Sequence, residues 1–204
     1  MKGCFIAFEG ANGVGKSTII DKIYNKLQYD NIEVFITKEP SDSKMGLLSR
    51  EVADDINGKA LACLGAADRF FHEENVILPE VHKGKTVLCD RNILLAFVFN
   101  KMDNISFEYT EKLYDGLIYP DIIILFYASP QIVQERLKLR SNLTRYEKER
   151  IGFEQEVINE SVKYLEKKNV KICKVSTENS VEETVAETYN IIRQYICDID
   201  LLTS

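Results

Sequence analysis

The octet Gly10-Ala11-Asn12-Gly13-Val14-Gly15-Lys16-Ser17 has the spacing G-x-x-x-x-G-K-[ST], and the chemistry that needs those residue types in that order is phosphate binding. Glycines let the backbone curl until successive N–H groups face phosphate oxygens, and a helix starting near Lys16 would add its positive end. The Lys16 ammonium would reach the β and γ phosphates of a nucleotide, and the Ser17 hydroxyl a Mg²⁺ ion. Ala11, Asn12 and Val14 fill the variable positions, so Gly10 to Thr18 form the nucleotide-binding candidate. No arginine lies within the loop, so further cations must come from elsewhere in the chain.

A second candidate closes the run "KTVLCDR", an apolar stretch ending in Asp90-Arg91. A carboxylate at the carboxyl edge of a central strand would face the phosphate loop and could hold Mg²⁺ or its waters. The competing reading is an ordinary strand-end Asp that caps the next helix. Arginines form the third group: Arg50, Arg69, Arg91, Arg136, Arg140 and Arg145. A guanidinium fork grips two phosphate oxygens at once, although surface arginine often serves only solubility. His72, a single His among Phe and Glu, reads as a surface or half-buried residue, and neither it nor His82 is expected to bind metal or act in catalysis.

The elements that must position these groups follow from the apolar runs. "CFIAF" (4–8), "EVFIT" (33–37), "TVLCD" (86–90), "DIIILFY" (121–127) and "VKICKV" (170–175) are short and continuous. Such runs predict strands buried on both faces of a parallel sheet. Amphipathic stretches lie between them. Residues 17–28 set Ile19, Ile20, Ile23 and Leu27 at helical spacing, and 181–196 repeats the pattern. Segments 59–83 and 147–168 read as longer helices. Strand and helix in alternation predict an α/β layered fold: a five-stranded parallel sheet between two helical layers, joined by right-handed crossovers. One domain over 1–204 is expected. The charged, apolar-poor stretch 138–150 is its candidate lid.

Composition narrows the function. Twenty-six Lys and Arg against 32 Asp and Glu give a net charge of −6, unlike a general nucleic-acid binder. The five cysteines form no CxxC pair, and disulfides are not expected, which suits a reducing cytoplasm. No apolar run approaches membrane-spanning length.

Taken together in order and spacing, these segments resemble the thymidylate kinase family over nearly the whole chain. "FEGANGVGKST" is similar to the family's opening, and "TKEP" (37–40) to its T-R-E-P, with Lys38 for Arg. "AADRFFHEENVILPEVHKGKTVLCDR" (66–91) resembles its arginine-bearing helix followed by D-R, and "YPDIIILFYASPQIVQERLKLRSNLTRYE" (119–147) its fourth strand and arginine-rich lid. The resemblance implies a three-layer P-loop fold and transfer of the ATP γ-phosphoryl group to dTMP with Mg²⁺, in a cytoplasmic homodimer. It implies that Gly10 to Thr18 bind ATP, that Ser17 and Asp90 hold the metal, and that Lys16, Arg91, Arg140 and Arg145 are catalytic. By the same resemblance Glu39, Arg50, Arg69, Asp90, Arg91 and Asn100 bind the acceptor.

The departures fall on the acceptor side. Gly65 stands where the family places an aromatic residue, Asn92 where it favours Tyr, and Val98-Phe99-Asn100 ends a segment that is usually more polar. A kinase of this fold with another nucleotide or nucleoside acceptor, and an ATP-binding relative without turnover, therefore stand beside the first reading.

Overall fold

The computed structural model describes residues 3–138 and 151–203. Five parallel strands, β1 (Cys4–Glu9), β2 (Val34–Lys38), β3 (Thr86–Asp90), β4 (Ile122–Tyr127) and β5 (Ile172–Ser176), form one sheet in the order β2-β3-β1-β4-β5. This is the expected fold. The three inner strands are almost wholly buried, as their unbroken apolar runs require. The edge strands depart from that reading: β2 and β5 are only half-buried, and Cys173 on β5 is partly exposed where Cys4 and Cys89 are buried.

Helices α1 (Lys16–Tyr29), α2 (Lys44–Val52), α3 (Gly58–His72), α4 (Leu78–His82), α5 (Ile93–Met102), α6 (Phe107–Leu113), α7 (Pro130–Lys138), α8 (Ile151–Glu166) and α9 (Val181–Thr203) surround the sheet. Helix α1 packs on α9, and α5 packs on α3 and α8. The apolar spacing of α1 explains its docking, since Ile19, Ile20, Ile23 and Leu27 are all buried against the sheet core. Burial of each such side chain contributes about 1.5–3 kcal/mol. Phe8 of β1 and Phe126 of β4 stack in parallel with centroids 5.9 Å apart, fastening the sheet centre.

The predicted helix 59–83 is interrupted rather than continuous. A π turn, Glu73–Ile77, separates α3 from α4, with Pro79 in the first turn of α4. Proline has no N–H for the i→i−4 ladder, and widening the turn just before it relieves the mismatch. The helix expected at 147–168 is seen as Ile151–Glu166, and the lid candidate, apart from Lys138, lies outside the described residues. No helix of the described residues is long and apolar enough to cross a membrane.

Sheet order decides where a ligand can sit. Chain connections from β1 run to one side and those from β3 to the other, so the crevice opens at the carboxyl ends between them. The register pairs Phe8 with Asp90 and Asp90 with Lys38. Glu9, Asp90 and Glu39 therefore emerge along one edge, beside the loop that follows β1.

Candidate active site

Residues 10–15 make the turn from β1 into α1. Gly10, Gly13 and Gly15 adopt φ values of 138°, 85° and 95°. A Cβ on Gly10 would stand 2.3 Å from the Phe126 carbonyl oxygen, and one on Gly13 about 3.0 Å from the Leu137 side chain. Only glycine fits both places. Helix α1 then begins with no side-chain cap and no acidic residue in its first turn. Its N–H groups and positive end are left to an external anion, at Ser17 and Thr18, which are exposed.

Lys16 is buried, its Nζ donating to the carbonyls of Gly10 (2.8 Å) and Ala11 (3.1 Å). Burial, reinforced by the nearby Arg91, brings its ammonium down to about 7, against the opposing pull of Asp90 and Glu9. Glu9 lies beneath the loop and accepts from the backbone N–H groups of Asn92 (2.8 Å) and Leu95 (3.3 Å), which ties β1 to the start of α5. Burial raises the Glu9 carboxyl, opposed by the Asn92 hydrogen bond and by Arg91 and Lys16.

Asp90 lines two neighbouring cavities, one of about 600 Å³ that also includes Ser17 and one of about 530 Å³ across the strand edge. Its Oδ1 is buried with no hydrogen-bond partner among the described residues. A buried orphan carboxylate oxygen is costly unless a cation completes it. Oxygen ligands from Ser17 and Asp90 suit a hard divalent ion that keeps several waters, so the donor set fits Mg²⁺. The residue at the N-cap of α5 is Asn92, with no side-chain cap bond, so Asp90 is not that helix's cap.

The second cavity gathers Glu39, Arg50, Arg69, Arg91 and Asn100 together with Gly65, Leu95 and Tyr114. Arg91 follows β3 at φ 72°, a left-handed value unusual for a long side chain, and its N–H bonds the Phe8 carbonyl at 2.9 Å. Its Nη2 donates to Asn12 Oδ1, while Nη1 is buried without a partner among the described residues. That free donor on the cavity wall is suited to an anion. Arg50 donates to the Pro40 carbonyl and to Asp42 Oδ1 (3.0 Å), so it reaches the cavity from an ion pair. Asn100 donates to Thr110 Oγ1 at 3.3 Å.

Arg69 is more constrained than its sequence suggests. Its Nε lies 2.7 Å from Glu39 Oε2, Nη1 donates to Tyr114 (3.0 Å), and Nη2 to the Asn92 carbonyl (3.3 Å). The guanidinium also covers Gly65, where a Cβ would meet Nη1 at 3.3 Å. With most of its donors committed, Arg69 braces the wall.

Three residues take roles in the structure that the sequence did not assign them. Tyr114 enters from the segment after α6, far along the chain, and carried no motif. Arg136 on α7 clamps the phosphate loop from outside, donating to the Val14 carbonyl (3.1 Å), Thr177 Oγ1 (3.1 Å) and the Thr177 carbonyl (2.8 Å). His72, expected to be exposed or half-buried, is buried between Thr37 and Glu39. Its i+3 placement after Arg69 on one helix was the available signal. Arg140 and Arg145 lie outside the described residues.

The comparisons agree with this geometry. Residues 8–188 match the thymidylate kinase family. A thymidylate kinase of Caldicellulosiruptor saccharolyticus is 33% identical over 94% of this chain and 97% of its own length. One from Finegoldia magna is 30% identical over 93% and 98%, and a probable thymidylate kinase of Pyrococcus abyssi 32% identical over 72% and 76%. A phosphate loop, a metal-ready aspartate and an arginine-walled cavity on one sheet edge, with likeness of this extent, place the chain in the thymidylate kinase family.

Proposed function

We propose that this chain transfers the γ-phosphoryl group of ATP to dTMP, giving ADP and dTDP. The observation that carries the reading is the adjacency of two anion sites on either side of Asp90: the uncapped start of α1 and the cavity walled by Arg91. A donor triphosphate on the first and an acceptor monophosphate in the second would meet at the strand edge. One phosphate oxygen of dTMP attacks the γ-phosphorus in line. A new P–O bond forms, the bond to the β-phosphate oxygen breaks, and ADP departs; an ionised phosphate needs no protein base. Catalysis is then positioning and charge neutralisation.

Gly10 to Thr18 hold the triphosphate, with Lys16 on the transferred group. Ser17 and Asp90 would hold Mg²⁺, which when bound neutralises charge on the phosphate oxygens. Arg91 and Arg50 face the acceptor phosphate, with Glu39, Arg69 and Asn100 shaping the rest of its cavity. Arg140 and Arg145 are assigned the lid cations by family resemblance. The kinase unit is taken as 1–204, cytoplasmic and homodimeric. The exposed apolar side chains of the packed pair α2–α3, Leu47, Leu48 and Phe71, support self-association.

An ADP-release assay over a panel of nucleoside monophosphates tests the reading. It predicts turnover with dTMP well above that with the other monophosphates. Preference for another acceptor, or release no faster than with ATP alone, would overturn it.

A further inference from the structure

His72 closes α3 at 2% exposure, with both ring nitrogens engaged by residues more than thirty positions away. Nδ1 is 3.0 Å from Glu39 Oε1, and Nε2 is 2.7 Å from Thr37 Oγ1. A carboxylate only accepts, so Nδ1 carries a proton and donates it to Glu39, while Nε2 shares a hydrogen bond with the Thr37 hydroxyl, which can donate or accept. The two partners thus fix the ring's orientation.

Glu39 is the group that this ring serves. Its side chain is 1% exposed, pairs with Arg69 Nε at 2.7 Å through Oε2, and receives a longer contact from Asn92 Nδ2 at 3.4 Å on Oε1. Glu39 and Arg69 line the acceptor cavity, whereas His72 lines the neighbouring one. His72 therefore reaches the acceptor cavity through Glu39.

We propose that His72 is a positioning residue for dTMP: its Nδ1–H holds the Glu39–Arg69 pair in the orientation that shapes the acceptor cavity. Without that donor, Oε1 is left buried on one weak contact, and the carboxylate turns to find another. Arg69 turns with it, and the Tyr114 hydroxyl that Arg69 donates to loses its partner. The links run through Thr37, Glu39, Arg69, Tyr114 and Asn92, none of them a phosphate-loop residue, so the larger effect falls on the acceptor.

Steady-state kinetics with dTMP and ATP varied separately test this. His72→Leu raises the KM for dTMP about ten-fold or more and leaves that for ATP within about two-fold, while His72→Asn, whose amide can donate where Nδ1 did, recovers most of the loss. Thr37→Val, which frees the ring but keeps its donor, gives a smaller rise in the same constant. An unchanged dTMP KM in His72→Leu, parallel loss for both substrates, or an Asn variant as impaired as Leu would overturn the role. If His72→Leu does not fold, Thr37→Val decides: a selective dTMP effect supports the role and an unchanged dTMP KM overturns it. The inference rests on the assignment of the cavity to dTMP, which Arg91→Ala tests separately. An unchanged dTMP KM there removes the cavity assignment. A raised one beside an unaffected His72→Leu removes only the part played by His72.

Discussion

A lysine folded under its own loop, as Lys16 is, stores a proton equilibrium for the nucleotide to shift. Its ammonium lies at about 7 in the free protein because burial disfavours charge. A triphosphate restores the charged form, so binding near neutral pH takes up protons. Calorimetry of ATP binding in buffers of different ionisation enthalpy should show an enthalpy that varies with the buffer in the sense of uptake, lost in Lys16→Met. An invariant enthalpy in the parent enzyme would contradict it. The same shift has a consequence for stability. Between about 7 and the ordinary lysine value of 10.5 the unfolded chain holds the proton that the folded one has released, so this group makes stability rise with pH across that window. The loop residues were legible in the sequence because each performs a local task that no other residue type performs. Arg69, His72 and Tyr114 were less legible. Their roles depend on contacts made across 23 to 45 positions, which no local pattern encodes.

Among the elements, α2 and α3 are held together by a polar knot beside the acceptor cavity. Asp68 of α3 is 1% exposed and accepts from the Ser41 backbone (2.7 Å), the Ser41 hydroxyl and the Ser43 hydroxyl (2.7 Å); Ser43 in turn caps α2 through the Gly46 N–H at 3.0 Å. Gly46 lies so close that a Cβ would stand 2.2 Å from the Ser41 carbonyl oxygen and 2.8 Å from Asp68 Oδ2. Backbone must move to admit it. Gly46→Ala is expected to destabilise by about 1–3 kcal/mol, lowering Tm by several degrees at about 2–4 °C per kcal/mol for this size. Thermal unfolding measures it, and an unchanged Tm would show that the knot yields freely. The helical stretches at 17–28 and 181–196 were readable from apolar spacing, down to the four isoleucine and leucine positions of α1, whereas α2, α5, α6 and α7 carried no pattern that singled them out. The break at Glu73–Ile77 was not, because a π turn leaves the apolar period nearly intact and only Pro79 hints at it.

The whole molecule turns a one-dimensional order of motifs into a two-site edge. Sheet order β2-β3-β1-β4-β5 brings together loops separated by about eighty residues; strand–helix alternation predicted the parallel layer but not this order. What alternation could not supply was the half-buried state of the edge strands, which depends on having a neighbour on one side only. Self-association is the prediction at this scale: sedimentation equilibrium should find a dimer, and Phe71→Glu should shift it toward monomer. A parent chain that sediments as a monomer would remove the dimer. The central claim, that a triphosphate at α1 passes its terminal group to a monophosphate beyond Asp90, is tested most directly by following the label of γ-labelled ATP after mixing with dTMP and Mg²⁺. The account predicts label in dTDP, and none in the same mixture made with Lys16→Ala. Label appearing only as inorganic phosphate, or dTDP formed as fast by Lys16→Ala, would contradict it.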